Sequence, residues 1–135
     1  MARTQIVKVD ERGRVLIPLY ARNALSIGTG TPLLLVVDQE QKNLVMTPIT
    51  EKARLATIRV LLQDVPGALA KAAQFVAEHG VDLVMSESRT LSRGRTAEWT
   101  AVADFSKTKL APKKMAELIV KKGIAAKAEA KEMKQ

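Results

Sequence analysis

Four cations fall within the stretch "KVDERGRVLIPLYARNAL": Lys8, Arg12, Arg14 and Arg22. Counting Arg3, five basic side chains precede residue 23, against Asp10 and Glu11 alone. An arginine fork suits a guanine edge or a phosphate, while a lysine ammonium acts as a point charge on phosphate. The cluster is more than a small hairpin needs for solubility and points to an anionic partner. A second concentration of chemistry is "DVPGAL", residues 64–69. Gly67 lets the backbone approach a ligand, and a helix opening there offers unpaired N–H groups and partial positive charge to a carboxylate. The same letters have a purely structural use, because Asp-x-Pro-Gly leaves a strand and caps a helix well.

Other chemistries are disfavoured by what is missing. There is no cysteine and one histidine, His79, so no disulfide, thiolate or zinc site is expected. His79, beside Gly80, fits a helix end and its dipole. No nucleophile–base pair, paired carboxylate set or phosphate loop is discernible, so neither enzyme activity nor a cofactor is expected. Trp99, Tyr20, Phe75 and Phe105 are the whole aromatic set, too few for stacking single-stranded nucleic acid. A formal charge of +8 and an isoelectric point near 10.0 favour polyanionic partners. The opening "MARTQIVKVD" has no apolar leader, and no stretch is long enough to span a bilayer. The expected location is cytoplasmic, without membrane contact.

The elements that must position these groups follow two grammars. Up to about residue 50 the segments are short and rich in β-branched residues: "QIVKV", "RVLI", "PLLLVVD" and "NLVMTPI", with turns at "DERG", "GTG" and "DQEQKN". A helix over about Leu19–Ser26 fits between them, after Pro18 and ended by Gly28. Residues 51–55 read as a linker. From residue 56 to 135 the order is strand, helix, two strands, helix, strand. "TIRVLLQ" places Ile58, Val60 and Leu62 on one face. "GALAKAAQFVAEHG" stripes Leu69, Ala72, Ala73 and Val76, with Gly80 as a cap. "LSRGRT" reads as a hairpin turn, with Arg89, Arg93 and Arg95 at a basic tip and a solvated tip as its simplest reading. "APKKMAELIVKKG" is a second amphipathic helix with a wet lysine face. "IAAKAEAKE" alternates, with Ile124, Ala126, Ala128 and Ala130 inward, and "KEMKQ" is expected to fray. The fold class is mixed: a mainly-β first part and an α+β, ferredoxin-like βαββαβ second part.

Roughly fifty residues with short strands and one stubby helix bury little apolar surface. With disulfides and metals set aside, oligomerisation is the remaining way to stabilise residues 1–50. This segment resembles the AbrB group of swapped-hairpin DNA-binding domains (AbrB, SpoVT and MazE) through "VKVDERGRVLIP" followed by "LYARNALSI" and the strand pair around "DQEQKN". The resemblance implies that two chains exchange hairpins into one small barrel. It also implies that double-stranded DNA is contacted by arginines of the first hairpin and the next helix. Matching positions are Lys8, Arg14 and Arg22. Asn23 stands where such proteins often carry a second basic residue, and Arg12 in the turn is placed to compensate. The expected DNA-binding set is therefore Lys8, Arg12, Arg14, Arg22 and Asn23. Antitoxins of this group commonly continue into an acidic disordered tail, whereas this chain continues into a basic folded region.

"LLQDVPGALAKAA" resembles the ACT domain, a regulatory module that often binds amino acids, and the element order agrees over about residues 56–132. The resemblance implies an effector site at Asp64, Val65, Pro66, Gly67, Ala68 and Leu69, shared between two ACT domains and completed near Val81–Met85 of a partner. Asp64 would take an ammonium group and the helix start a carboxylate. The combined reading is a prokaryotic, nucleoid-associated, homo-oligomeric transcription regulator that responds to an amino acid. Two alternatives stand beside it: an architectural, chromatin-type DNA-binding protein whose ACT half only oligomerises, and a regulatory subunit of a metabolic enzyme.

Overall fold

The computed structural model describes residues 2–134. The chain divides into two compact units, with the boundary between Glu51 and Lys52. In the first unit the chain turns at residues 10–14, where the Asp10 N–H donates to the Arg14 carbonyl at 2.9 Å and Gly13 N–H to the Asp10 carbonyl at 3.1 Å. Gly13 takes a φ of 76°, which its missing Cβ allows. The short helix α1, Leu19–Ala24, follows Pro18 and is left through Ser26 at a φ of 55°, before Gly28 is reached. Strands β1, Leu33–Asp38, and β2, Asn43–Pro48, pair antiparallel from Leu33↔Pro48 to Asp38↔Asn43.

The expected strands "QIVKV" and "RVLI" do not form. Among the described residues the backbone-to-backbone bonds of these arms are confined to the turn between them, so no ladder forms. Nor does one chain close a barrel: β1 and β2 make a sheet of two strands. The apolar residues of the arms are left in solvent, Ile6 at 91%, Leu16 at 76% and Val9 at 69% exposure.

The second unit contains its own core. Strand β3, Leu55–Gln63, is followed by α2, Ala68–Glu78, β4, Asp82–Ser92, β5, Thr96–Asp104, α3, Pro112–Lys121, and β6, Lys127–Glu132. The four strands form one antiparallel sheet in the order β4-β5-β3-β6. This is the ferredoxin-like arrangement that the sequence pattern implied. Alternation along β3 sends Ile58, Val60 and Leu62 into the core with Trp99, Ala101 and Ala103 of β5. Ala72 and Val76 of α2, and Met115 and Ile119 of α3, close that core. Trp99 is fully buried and its indole N–H donates to the Ser86 hydroxyl at 2.7 Å. The other sheet face carries an ion-pair network, with Arg59 bridging Glu98 at 2.9 Å and Glu129 at 3.8 Å.

Three details depart from the sequence pattern. Leu69 belongs to the expected apolar stripe but is exposed, since it sits in the first turn of α2, ahead of the core. The last strand starts at Lys127, not Ile124, and Ala126 is exposed. Gly123 is still turning the chain at a φ of 73°, with Ile124 N–H bound to the Ile119 carbonyl. The expected fraying does not begin at Lys131, because Lys131 and Glu132 pair with Thr57 and Ala56, and Met133 N–H reaches the Leu55 carbonyl; Gln135 lies outside the described residues. Among the described residues no helix is long and apolar enough to cross a membrane. No group of three or more His, Cys, Asp or Glu side chains gathers as a metal site there either.

Candidate functional site

The cationic site of the first unit is organised by Asp10. One carboxylate oxygen, Oδ1, accepts the backbone N–H of Arg12 and of Arg14, both at 2.9 Å. The other, Oδ2, accepts Arg14 Nε–H at 3.0 Å. The backbone N–H of Arg14 is the main reason that the Asp10 carboxyl lies below its ordinary value; desolvation opposes it, and the Arg12 N–H and the Arg14 side chain add to the lowering. Arg22, on α1, is held in the same manner, with its Nε–H donated to the Ile17 carbonyl at 3.1 Å.

In both arginines the inner nitrogen is used and the outer edge of the guanidinium carries no partner among the described residues. A fork fixed at Nε loses less freedom when its outer nitrogens meet an acceptor pair. Lys8, Arg12, Arg14, Arg22 and Asn23 are all exposed. The structure gathers Arg12 and Arg14 in one turn, with Lys8 on the arm leading into it. Arg22 is tied to the returning arm through Ile17, and Asn23 follows on α1 without a side-chain bond. The sequence reading missed that Arg3 stacks on Tyr20, its guanidinium carbon 3.7 Å from the ring centroid. Aromatic–cation pairing across seventeen positions has no local signature.

In the second unit the loop between β3 and α2 is bolted to the turn between β4 and β5. Asp64 Oδ2 accepts the Gly94 N–H at 2.7 Å, and the Asp64 N–H donates to the Arg95 carbonyl at 3.1 Å. Gly67 precedes α2 at a φ of 85°, and the helix has neither a side-chain cap nor an acidic residue in its first turn. A cavity of about 450 Å³ opens beside this loop. Val65, Pro66, Gly67 and Ala68 line it, while Asp64 and Leu69 do not. Its charged lining groups are Lys71, Arg95 and Lys122. These three were not foreseen as a group, because they come from three separate elements and each reads locally as a solvated side chain. At the far end of α2, His79 Nδ1 lies 2.8 Å from the Phe75 carbonyl, so this histidine serves the helix terminus.

Residues 56–119 match the family model of the ACT domain, so the second unit carries an ACT domain. The match starts in β3 and ends in α3, and it leaves residues 1–55 outside. No curated protein matches the chain. Among solved structures, the chain is similar to the solution structure of the C-terminal domain of the MgtC protein from Mycobacterium tuberculosis. The identity is 13% and the TM-score 0.46, over 63% of this chain and 93% of that one.

Proposed function

We propose that the chain is a DNA-binding transcription regulator whose ACT domain pairs chains and binds an amino-acid effector. The observation that carries the DNA reading is the shared treatment of Arg14 and Arg22. Each is anchored through Nε by a neighbouring oxygen and turns its outer nitrogens to solvent. Such forks are suited to guanine edges, and Lys8 and Arg12 to phosphates. The uncovered Ile6, Val9 and Leu16 support a second copy as the missing half of this unit, giving a two-fold surface. ACT domains commonly bind amino acids and oligomerise, which supports a sensing and pairing role for residues 56–119. An effector there alters DNA affinity only through its different affinities for the DNA-competent and incompetent states. The reading includes no catalysis.

The test is fluorescence anisotropy of a labelled duplex titrated with the full chain at several salt concentrations, with and without pooled amino acids. The two cations per chain assigned to phosphates, Lys8 and Arg12, predict a log–log salt slope of about −4 for a two-fold pair. Absence of binding at low salt overturns the DNA reading.

A further inference from the structure

Within the ACT unit the charge of the cavity is at odds with a neutral amino acid. We propose that the cavity bounded by Gly67, Lys71, Arg95 and Lys122 binds a small anion with a net negative charge, a dicarboxylate or phosphate-bearing metabolite, in preference to a zwitterion. The inference rests on the effector reading above and narrows its ligand class.

Four observations converge. The cavity, at about 450 Å³, has the size of a small-molecule site. Its ionisable lining groups are three cations from three elements: Lys71 in α2, Arg95 in the β4–β5 turn and Lys122 at the end of α3, with no carboxylate among them. None of the three has an ion-pair partner among the described residues, whereas Arg59 and Arg89 on the open sheet face meet Glu98. The loop that opens α2 also lines the cavity, and that helix start lacks any acidic or capping side chain to offset its positive end.

Asp64 decides the sign. An α-ammonium group needs an anionic or strong neutral acceptor, and Asp64 is the one carboxylate of this loop. Its Oδ2 is taken by Gly94 N–H and its side chain does not reach the cavity. The same bond holds the Arg95-bearing turn against the loop, so Asp64 is a positioning residue for a cation. Each uncompensated ammonium of a ligand would therefore face three positive groups. Gly67 contributes space as well: a Cβ built there meets no atom within 4 Å. Its φ of 85° is one that a residue with a Cβ rarely adopts.

The experiment is an amide-shift titration of the isotopically labelled full chain. The probes are succinate, citrate, inorganic phosphate, L-serine, L-leucine and L-lysine, each at up to millimolar concentration. Expected are saturable shifts at Gly67, Thr96 and Gly123 with an anion, at an affinity roughly tenfold or more above that for L-serine. L-Lysine gives no shift there. Arg95→Gln and Lys122→Gln each weaken the anion severalfold without moving the amides of Ile58 and Val60, which reports an intact core. Zwitterions binding in this cavity as tightly as the anions overturn this proposal and leave the effector reading standing. So do amino-acid shifts confined to Val81–Met85. Shifts produced by a DNA duplex but by no small anion make the site a phosphate-backbone contact and also overturn it. Silence of every probe overturns the proposal and the effector reading together.

Discussion

Replacing Asp10 by asparagine separates two roles that one carboxylate plays. The amide oxygen of the new side chain can still accept the backbone N–H groups of Arg12 and Arg14, as Oδ1 does now, so the turn survives. The position of Oδ2 becomes an NH2 group, which cannot accept the Arg14 Nε–H. Asp10→Asn therefore releases the Arg14 fork and removes one negative charge per chain. For a two-fold pair, simple electrostatics predicts tighter binding to random duplex at low salt and a salt slope steeper by at most about two. Orientation predicts the opposite for sequence discrimination. A bidentate arginine–guanine contact carries about 1–3 kcal/mol of discrimination, and a freed fork retains less of it. The assay is anisotropy with a duplex selected from a random pool and its scrambled counterpart, for both proteins and across salt. Expected is a gain on scrambled DNA with a fall in the selected-to-scrambled ratio. An unchanged ratio refutes the clamp argument, whatever happens to absolute affinity.

Acid provides the same perturbation in the native chain. The Asp10 carboxyl lies below its ordinary value, chiefly through the Arg14 N–H. Its contribution is therefore fully present above the unperturbed carboxylate value and is lost as pH falls through the lowered one. Between about pH 5 and 8 Asp10 remains ionised, and discrimination should not vary on its account.

Two further outcomes are expected. If a second copy covers the first unit, amides of residues 5–9 and 14–17 are protected from hydrogen exchange in the native chain, and Leu16→Glu removes that protection while the β3 amides keep theirs; fast exchange of those arms in the native chain refutes the pairing. Trp99→Phe leaves a smaller ring in a fully buried position and deprives the Ser86 hydroxyl of its donor. It lowers stability by about 1–3 kcal/mol in urea titrations followed by far-ultraviolet circular dichroism, and a change within error refutes the packing described for β5.

How much was legible differs between the units for a physical reason. Along β3 the alternation of Ile58, Val60 and Leu62 is answered inside the same chain by Trp99, Ala101 and Met115, so pattern and structure agree. Gly80 and Gly123 end their helices at positive φ, as their spacing implied. "QIVKV" carries an equally good strand pattern, yet one chain leaves it unpaired, because pattern specifies a strand but not the chain that supplies its partner. The loop between β3 and α2 shows a different limit. The letters of "DVPGAL" fit an ammonium acceptor and a turn anchor alike, and the structure shows the anchor in the 2.7 Å bond from Gly94 to Asp64 Oδ2. Lys71, Arg95 and Lys122 share a cavity through tertiary folding alone, so no local window joins them.

The burial pattern also bears on the proposed link between effector and DNA. Among the described residues of the first unit, Leu34 is the one buried hydrophobic side chain, whereas the ACT unit encloses a continuous core. Ordering each backbone residue costs about 1–2 kcal/mol, which so little burial cannot offset. Under the pairing proposed above, folding of the first unit would be coupled to association, and the proposed DNA surface would be completed only where two copies meet. Pairing of ACT domains, if it occurs as proposed, would raise the effective concentration of one first unit near another by tethering alone. On the proposed reading, a ligand that strengthens ACT pairing would increase the population of the DNA-competent pair through the tether, and one that weakens it would do the reverse. Such coupling predicts that the effector's influence on DNA affinity fades as protein concentration rises, because association in solution then supplies what the tether supplied. An effect of constant size at all protein concentrations would instead require a rearrangement transmitted within each assembled pair.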